Sequence, residues 1–326
     1  MKIGIQISLN LKNKGGNEEY VCQLLKHLPM VDDYKNHQFF IYNKETLKWP
    51  FKWGWTQIRL SREILKNRPD ILFVPAHTYP IIYPVLKYKY GVHPKTITVI
   101  HGVEFKAIPE KYSFWERLRL DFLTKRNIKA EKIIVSSQNT KNDLTKYYKV
   151  NPEKIFVVYL GVEKPGIVKN ENSRKYILYL GSGHKRKNLD NLKKAYEILK
   201  NKYNIKHELI LAGINKELSG QEKWELLKDA DIFIYPSLYE GFGFPPLEAQ
   251  SFGVPVVASS TGSLPEILGD SALLVNPYNP EEIAEMIYKI ISDQNLKNYL
   301  INKGFENIKR FNWKNCAEQT LKTICE

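Results

Sequence analysis

The sequence predicts an α/β protein with two parallel β-sheets, each covered by helices. The chain has 326 residues. A domain with a single hydrophobic core is usually smaller than this, so we expect two domains. Short β-rich runs alternate with helical periods, which is typical of parallel sheets. A stretch rich in glycine, proline, asparagine and charge at 161–173 separates two such series and predicts a hinge.

Eleven short apolar runs have the length and composition of β-strands. The first series is predicted at 2–8, 37–42, 70–75, 96–101, 132–136 and 154–159, and the second at 175–180, 208–212, 231–235, 255–259 and 272–275. Asn279 followed by Pro280 has the pattern of a helix start, and helical periods continue from there nearly to the end. We therefore predict an N-terminal domain at 1–164 and a C-terminal domain at 165–311.

The positive charge lies almost entirely in the first half of the chain. Residues 1–164 contain 28 lysines and arginines against 15 acidic residues, whereas the remainder contains 21 against 20. Such a field favours an anionic partner, either a membrane surface, a phosphorylated acceptor or a nucleic acid, although solvated lysine-rich helix faces would give the same count. No helix-turn-helix, zinc-finger or aromatic RNA-binding pattern is visible, so no nucleic-acid partner is predicted.

Other features of the composition favour a cytoplasmic protein. The most apolar run, 81–86, contains Pro84 and is far shorter than a transmembrane helix. The N-terminus resembles a buried first strand more than a signal peptide. Cys22, Cys316 and Cys325 are odd in number and lack zinc or redox spacing, which favours reduced thiols.

Ligands of open α/β sheets bind beyond the carboxyl ends of the strands, so the loops at those ends are the candidate sites. Gly15 and Gly16 follow the first strand at a helix start, where backbone amides favour an anion such as a diphosphate; a plain turn would look the same. Arg186 and Lys187 follow the first strand of the second series, and consecutive cations there suit phosphate neutralisation, with a solvated charge run as the alternative.

The strongest pattern surrounds two glutamates. Glu240 closes a strand, a Gly-Phe-Gly turn at 241–243 follows, Pro245 and Pro246 begin a helix, and Glu248 lies about one turn into it. This spacing lets amides and the helix terminus hold a phosphate while the carboxylates accept hydroxyls on either side. A glycosidase-like carboxylate pair is the competing interpretation, which the phosphate-type turn between the glutamates disfavours.

Glu240 and Glu248, with Gly-Phe-Gly-Phe-Pro-Pro-Leu between them, resemble the Glu-seven-residues-Glu motif of retaining family 4 glycosyltransferases, the glycosyl transferases group 1. That family has the GT-B fold, in which two Rossmann-like parallel-sheet domains face a cleft. Further segments similar to family motifs are 15–16, 99–102, 135–140, 186–188, 253–258 and 262–266.

The resemblance implies a transferase that moves a hexose, such as mannose or glucose, from a nucleotide-diphosphate-sugar to a glycan or lipid-linked acceptor in polysaccharide biosynthesis. The catalytic residues it implies are Glu240, His101, Arg186 and Lys187. The donor-binding residues are Gly16, Arg186, Lys187, Gly241, Phe242, Gly243, Phe244 and Glu248, and the acceptor-side residues are Gly15, Gly16, Asn17 and Ser137.

In the mechanism that the resemblance implies, Glu240 holds hydroxyls of the donor sugar, Glu248 holds the ribose hydroxyls, and His101 lies at the sugar. Arg186 and Lys187 stabilise the charge that grows on the leaving diphosphate, and that phosphate takes the acceptor proton. No metal and no cofactor are expected. Because Lys187 and Glu248 lie on a loop and a helix start, replacing either by alanine is expected to stop transfer and leave the fold intact.

The chain departs from the family pattern at two places. The segment 214–220, where relatives often contact the nucleotide base, is short, so the sequence does not select among uridine, guanosine and adenosine donors. His101 is followed by Gly102 where relatives often carry aspartate. In relatives the last helix crosses back to the first domain, and the apolar spacing of 312–326 predicts the same here.

The segment 113–132 has the pattern of one amphipathic helix, with apolar residues such as Phe114 and Trp115 among six arginines and lysines. This combination of residues is suited to binding an anionic membrane surface. The aromatic stretch 49–55 has the same character. Both predict a peripheral membrane protein that binds the inner membrane face. The alternative is that the apolar side packs on the sheet. The remaining alternatives for the whole chain are a sugar epimerase, a phosphorylase, a basic nucleic-acid-binding protein and a non-catalytic sugar-binding module.

Overall fold

The computed structural model describes residues 1–7, 15–43, 47, 55–76, 91–163, 175–214 and 218–326. Contacts divide the chain into two compact units. The first comprises Met1–Lys106, Tyr112–Leu160 and Trp313–Glu326, and the second comprises Ala107–Lys111 and Gly161–Asn312. The boundaries predicted at 164 and 311 lie close to these breaks, and most of the predicted hinge, 164–173, lies outside the described residues.

The first unit contains a six-stranded sheet in which neighbouring strands are parallel, in the order β2-β1-β3-β4-β5-β6. Its strands are short apolar runs, several of them buried on both faces as a helix-covered parallel sheet requires. The strands are β1 (Lys2–Ile7), β2 (Gln38–Asn43), β3 (Ile71–Val74), β4 (Lys95–Ile100), β5 (Lys132–Val135) and β6 (Ile155–Val157).

The second unit contains a five-stranded parallel sheet in the order β11-β10-β9-β7-β8. The strands are β7 (Tyr176–Leu180), β8 (Glu208–Ala212), β9 (Ile232–Tyr235), β10 (Val256–Ser259) and β11 (Leu273–Val275). The α/β class and all eleven predicted strands are thereby confirmed, with ends that differ by one or two residues.

Helices follow most of the strands. Those of the first unit are α1 (Gly16–His27), α2 (Leu60–Asn67), α3 (Glu104–Ala107), α4 (Phe114–Asn127), α5 (Gln138–Tyr148) and α12 (Trp313–Cys325). Those of the second unit are α6 (Leu189–Tyr203), α7 (Gly220–Asp229), α8 (Phe244–Ser251), α9 (Leu264–Leu268), α10 (Pro280–Ser292) and α11 (Gln294–Asn307).

Side-chain caps explain where several of these helices begin. Ser113 and Glu116 form a reciprocal capping box at the start of α4, which satisfies two backbone donors that the first turn leaves open. The predicted cap Asn279 accepts a hydrogen bond from the amide of Glu282 at 3.2 Å. The predicted helix 113–132 is too long, because α4 ends at Asn127 and β5 begins at Lys132.

The last helix belongs to the first unit. Five apolar side chains that give 312–326 its helical spacing are buried: Trp313, Cys316, Ala317, Leu321 and Ile324. Helix α12 packs against α1, where the rings of Tyr20 and Trp313 lie 6.5 Å apart, and Lys132 Nζ donates to the carbonyl of Thr323 at 2.9 Å. The first unit is therefore built from both ends of the described chain.

Within the described ranges, no helix is both long enough and apolar enough to cross a membrane.

Candidate functional site

The two loops that carry the strongest sequence patterns follow neighbouring strands. Strand β7 lies between β8 and β9. After β7 the chain therefore forms β8 on one side of it and then β9 on its other side. Such a reversal of strand order opens a crevice at the carboxyl ends of the two strands. The loops after β7 and β9, which contain Arg186 and Glu240, meet at this point of the second unit.

Asparagine and histidine side chains hold the first of these loops in place. The ring of His184 accepts a hydrogen bond from the amide of Arg186 at 3.2 Å, which caps the short turn Lys185–Lys187. Asn188 adopts a left-handed conformation with φ of 61°, and its side-chain amide donates to the carbonyls of Pro236 at 3.1 Å and Pro277 at 2.6 Å. The consecutive cations are thus fixed relative to the loop after β9.

Three donors converge on one oxygen of Glu240. Its Oε1 atom accepts hydrogen bonds from Arg186 Nη1 at 2.7 Å, Lys187 Nζ at 2.6 Å and Ser237 Oγ at 2.5 Å. Lys187 Nζ also donates to the hydroxyl of Tyr235 at 2.5 Å. The structure thereby joins three residues that the sequence predicted for the site, and it adds Ser237 and Tyr235, which sequence reasoning missed.

The cluster is buried and electrostatically coupled. Glu240 is 8% exposed and Lys187 is 6% exposed. Burial would raise the pKa of Glu240, but the charges of Lys187 and Arg186 outweigh burial and lower that pKa to about 2. The carboxylate is therefore ionised at neutral pH. Removal of Lys187 would leave this buried carboxylate short of a partner, so we expect a loss of stability in addition to the predicted loss of transfer.

The turn after Glu240 leads into a helix. Gly243 precedes α8 with a φ of 105°, and the positive end of the helix dipole favours an anion there. The side chain of Phe242 is buried, and its ring lies 5.6 Å from that of Phe311. The predicted donor contact of Phe242 therefore has to come from its backbone.

The loop after β10 packs against the Glu240 turn through Gly262 and Ser263. Ser263 Oγ donates to the carbonyls of Glu240 at 3.0 Å and Phe242 at 2.8 Å. Gly262 has a φ of 61°, and a Cβ atom there would lie 2.8 Å from both the backbone N and O of Glu240. Only glycine fits this close approach.

Replacing Gly262 by alanine is expected to push the Glu240 backbone away from Arg186 and Lys187 and to lower activity at least tenfold. Gly269→Ala is the matched control, because Gly269 also has a positive φ, of 52°, but a Cβ atom there meets nothing within 4 Å. Both variants carry the backbone strain of a positive φ, so both should unfold at a lower urea concentration than the natural protein. Equal activities for the two variants would show that the contact with Glu240 has no effect on the site.

Glu248 lies on α8 and forms an ion pair with Lys223 of α7, and both side chains are partly exposed. The structure does not bring Glu248 into the Glu240 cluster. The ion pair uses Oε1 of Glu248, and the second carboxylate oxygen can accept a ribose hydroxyl in the implied role. Lys223 is a neighbour that sequence reasoning did not identify.

The remaining predicted residues belong to the first unit. His101 Nε2 lies 3.2 Å from the carbonyl oxygen of Pro75, and its ring meets that of Tyr20 edge to face at 5.1 Å between centroids. Gly15 precedes α1, which begins at Gly16, and Asn17 is exposed in its first turn. The glycines thus stand at a helix start, as the sequence predicted, whereas residues 8–14 of the same loop lie outside the described residues.

Ser137 is the one acceptor-side residue whose surroundings argue against its predicted role. It is fully buried, its Oγ accepts from the amide of Thr140 at 3.1 Å, and it donates to Thr140 Oγ1 at 3.0 Å. We therefore assign Ser137 to the N-terminal cap of α5 and not to the acceptor.

Asp33, His37 and Cys325 of the first unit bring three potential metal ligands together. His37 Nε2 lies 2.9 Å from Asp33 Oδ2 and 3.4 Å from Cys325 Sγ. The hydrogen bonds account for these distances without an ion. Because His37 and Cys325 are far apart in sequence, spacing could not have indicated this group.

Two protein families match this chain. The family described as Glycosyltransferase Family 4 matches residues 14–164, and the family described as Glycosyl transferases group 1 matches residues 216–307. The chain belongs to the family 4, group 1 glycosyltransferases. The predicted membership is thereby confirmed, and the two matches cover most of both units.

Two relatives of this glycosyltransferase are mannosyltransferases. O-antigen chain mannosyltransferase B of Escherichia coli is 35% identical over 169 residues, which are 45% of this chain and 44% of the relative. An O-antigen chain mannosyltransferase of Salmonella typhimurium is 29% identical over 248 residues, which are 67% of this chain and 69% of the relative. The chain thus matches less than half the length of the first relative and about two thirds of the second.

A solved structure confirms the fold class of the glycosyltransferase. Sucrose-phosphate synthase from Thermosynechococcus elongatus has a TM-score of 0.72 and 16% identity, and the match covers 98% of this chain and 97% of that one. The predicted GT-B class, with a parallel sheet in each unit, is therefore correct.

Proposed function

We propose that this glycosyltransferase moves a mannosyl residue from a nucleotide-diphosphate-mannose to a glycan or lipid-linked acceptor in the synthesis of a surface polysaccharide. The observation that carries the proposal is the Arg186, Lys187 and Glu240 cluster beside the Gly243 turn at the start of α8. The names of the O-antigen relatives support mannose as the sugar.

The cluster has the charge that glycosyl transfer from a diphosphate requires. As the anomeric bond breaks, negative charge grows on the departing diphosphate, and donors already aimed at that position lower the barrier. Arg186 and Lys187 supply two positive charges against one on Glu240, so the trio keeps a net positive charge for the phosphate. Each such contact contributes on the order of 3 kcal/mol to transition-state stabilisation.

Glu240 has two functions in the proposal. It holds Arg186 and Lys187 in position, and its ionised carboxylate accepts hydroxyl hydrogen bonds from the donor sugar. Glu248 accepts hydrogen bonds from the ribose hydroxyls, and His101 lies at the sugar. The leaving phosphate takes the acceptor proton on the same face, so the anomeric configuration is retained. Gly15, Gly16 and Asn17 stand on the acceptor side.

The positive charge in the proposed reaction comes from side chains, and the reaction includes neither a metal nor a cofactor. We therefore propose that chelation of divalent ions with EDTA leaves the transfer rate unchanged. The reaction takes place at the cytoplasmic face of a membrane, where a lipid-linked acceptor would be found, and involves no nucleic acid.

A donor panel tests the proposal. The full chain is incubated with lipid-linked or soluble glycan acceptors and a set of nucleoside diphosphate sugars. The nucleoside of the donor is guanosine, uridine or adenosine, and the sugar is mannose, glucose or galactose. We expect turnover with a mannose donor and an acceptor, and none with the Glu240→Gln variant. Donor turnover without an acceptor would indicate an epimerase, dependence on free phosphate a phosphorylase, and no turnover with any donor would contradict the proposal.

A further inference from the structure

Helix α4 exposes large apolar side chains on the side opposite the one it buries. Phe114, Trp115, Leu118 and Phe122 are 68%, 75%, 52% and 53% exposed, and together they provide four of the eleven exposed large hydrophobic residues found in the described part of the chain. At 100° per residue these four positions fall within about one quarter of the helix circumference. We call this set the apolar stripe.

The buried side of α4 carries different residues. Thr124 and Asn127 are buried, and Leu120 packs against the core that contains Ile133 and Val135. The alternative that the apolar side of this helix packs on the sheet is therefore wrong for the four members of the apolar stripe. An exposed apolar patch of this kind marks a surface that meets another molecule or a membrane.

Basic residues flank the apolar stripe. Arg117 and Arg119 lie on either side of it on α4 and are exposed, and Lys129 follows the helix. The two acidic residues of the helix are engaged elsewhere: Glu116 accepts from the backbone and hydroxyl of Ser113, and Asp121 pairs with Lys106 and Lys125. The face therefore combines apolar bulk with positive charge.

A lysine-lined cavity adjoins the end of the same helix. It has a volume of about 460 Å³, and its lining includes Lys125, Lys129, Lys149 and Lys154, with Tyr148 and Asn151. No described acidic side chain forms an ion pair with Lys129, Lys149 or Lys154. The cavity is open to solvent, and lysine side chains at its rim can turn their ammonium groups toward a phosphate group.

We propose that the apolar stripe and the adjoining lysine cavity form a docking surface for an anionic lipid bilayer, in which the stripe enters the boundary between headgroups and acyl chains and the cavity receives a lipid phosphate. Aromatic and leucine side chains flanked by lysine and arginine are the features of helices that lie in the bilayer interface. A protein partner would satisfy the apolar stripe but leaves the lysine cavity unexplained. The inference goes beyond glycosyl transfer and does not depend on the identity of the donor.

Co-sedimentation of the full chain with vesicles tests the proposal. One vesicle type contains phosphatidylcholine alone, and the other is an equimolar mixture of phosphatidylcholine and phosphatidylglycerol. We expect binding to the mixed vesicles, at least tenfold weaker binding to pure phosphatidylcholine, and weaker binding to the mixture when the salt concentration rises, because exposed charges are screened.

Variants separate the two parts of the surface. Trp115→Ser with Phe122→Ser should lower binding to mixed vesicles at least tenfold, whereas Met30→Ser, at an equally exposed apolar residue of the same unit, should not. Lys129→Glu with Lys149→Glu should remove most of the salt dependence, and Lys322→Glu, at an exposed lysine of α12, is the control. Transfer to a soluble acceptor should stay unchanged in all of them, so a failure of docking is distinguished from a failure of the proposed function.

Three results would overturn the proposal: no sedimentation with either vesicle type, equal binding by the stripe variants and Met30→Ser, or a protein that is dimeric by light scattering and becomes monomeric in the stripe variants. The last result would show that the apolar stripe binds a second copy of the chain.

Discussion

Replacing Lys187 by methionine is expected to lower both transfer activity and stability. In the proposed reaction Lys187 stabilises the leaving diphosphate, and the loss of that charge should slow transfer by roughly a hundredfold or more. It also leaves the buried Glu240 carboxylate with one cation fewer, and breaking a buried ion pair costs about 3–5 kcal/mol. Transfer rates and urea unfolding of the purified variant measure the two effects separately.

The double variant Lys187→Met with Glu240→Gln isolates the ion pair. Its second substitution removes the orphaned charge, so it should recover part of the lost stability but none of the lost activity. If Lys187→Met alone were as stable as the natural protein, the buried ion pair would contribute nothing to the free energy of unfolding, contrary to what the structure indicates. Full transfer activity in Lys187→Met would contradict the assignment of the site.

Replacing Glu248 by alanine is expected to weaken donor binding with almost no effect on stability. Hydrogen bonds to a charged group contribute about 1.5–3 kcal/mol, so donor affinity should fall roughly ten- to a hundredfold. The ion pair with Lys223 is partly exposed, and loss of such a pair changes the free energy of unfolding by no more than about 1 kcal/mol. Donor titration and thermal unfolding provide the two measurements.

Lys223→Ala is the matched control for this variant. It removes the same ion pair but keeps the carboxylate, and both oxygens of Glu248 are then available to a donor. Donor affinity should therefore be unchanged or increased. A loss of affinity in Lys223→Ala as large as in Glu248→Ala would mean that the ion pair, and not the carboxylate, supports donor binding.

The strands and the loops of the site could be predicted from the sequence, because both depend on local patterns. Buried parallel strands are continuous apolar runs such as Ile71–Val74. In an open α/β sheet the loops that bind ligands follow the carboxyl ends of such strands. Gly243 and Asn279 also have local signatures, a turn glycine at a helix start and a cap before proline. Such features need no knowledge of the remainder of the chain.

Pairings across long stretches of sequence could not be predicted in this way. Arg186 and Glu240 are 54 residues apart, and nothing in either segment shows that one carboxylate oxygen serves both cations. The same holds for Ser263 behind Glu240 and for Lys223 beside Glu248. The orientation of α4 was also open, since Leu120 and Phe122 lie on opposite sides of the helix, and only the packed structure shows which side meets the sheet.

The placement of α12 in the first unit bears on the order in which the protein folds during synthesis. The ribosome completes residues 161–312, the continuous part of the second unit, before it makes α12. Domains generally fold as units as the chain emerges, so the second unit can fold first, whereas α1 has to wait for the buried face of α12. The nascent first unit therefore exposes apolar surface longest, and we expect it to be the part of the chain that chaperones engage.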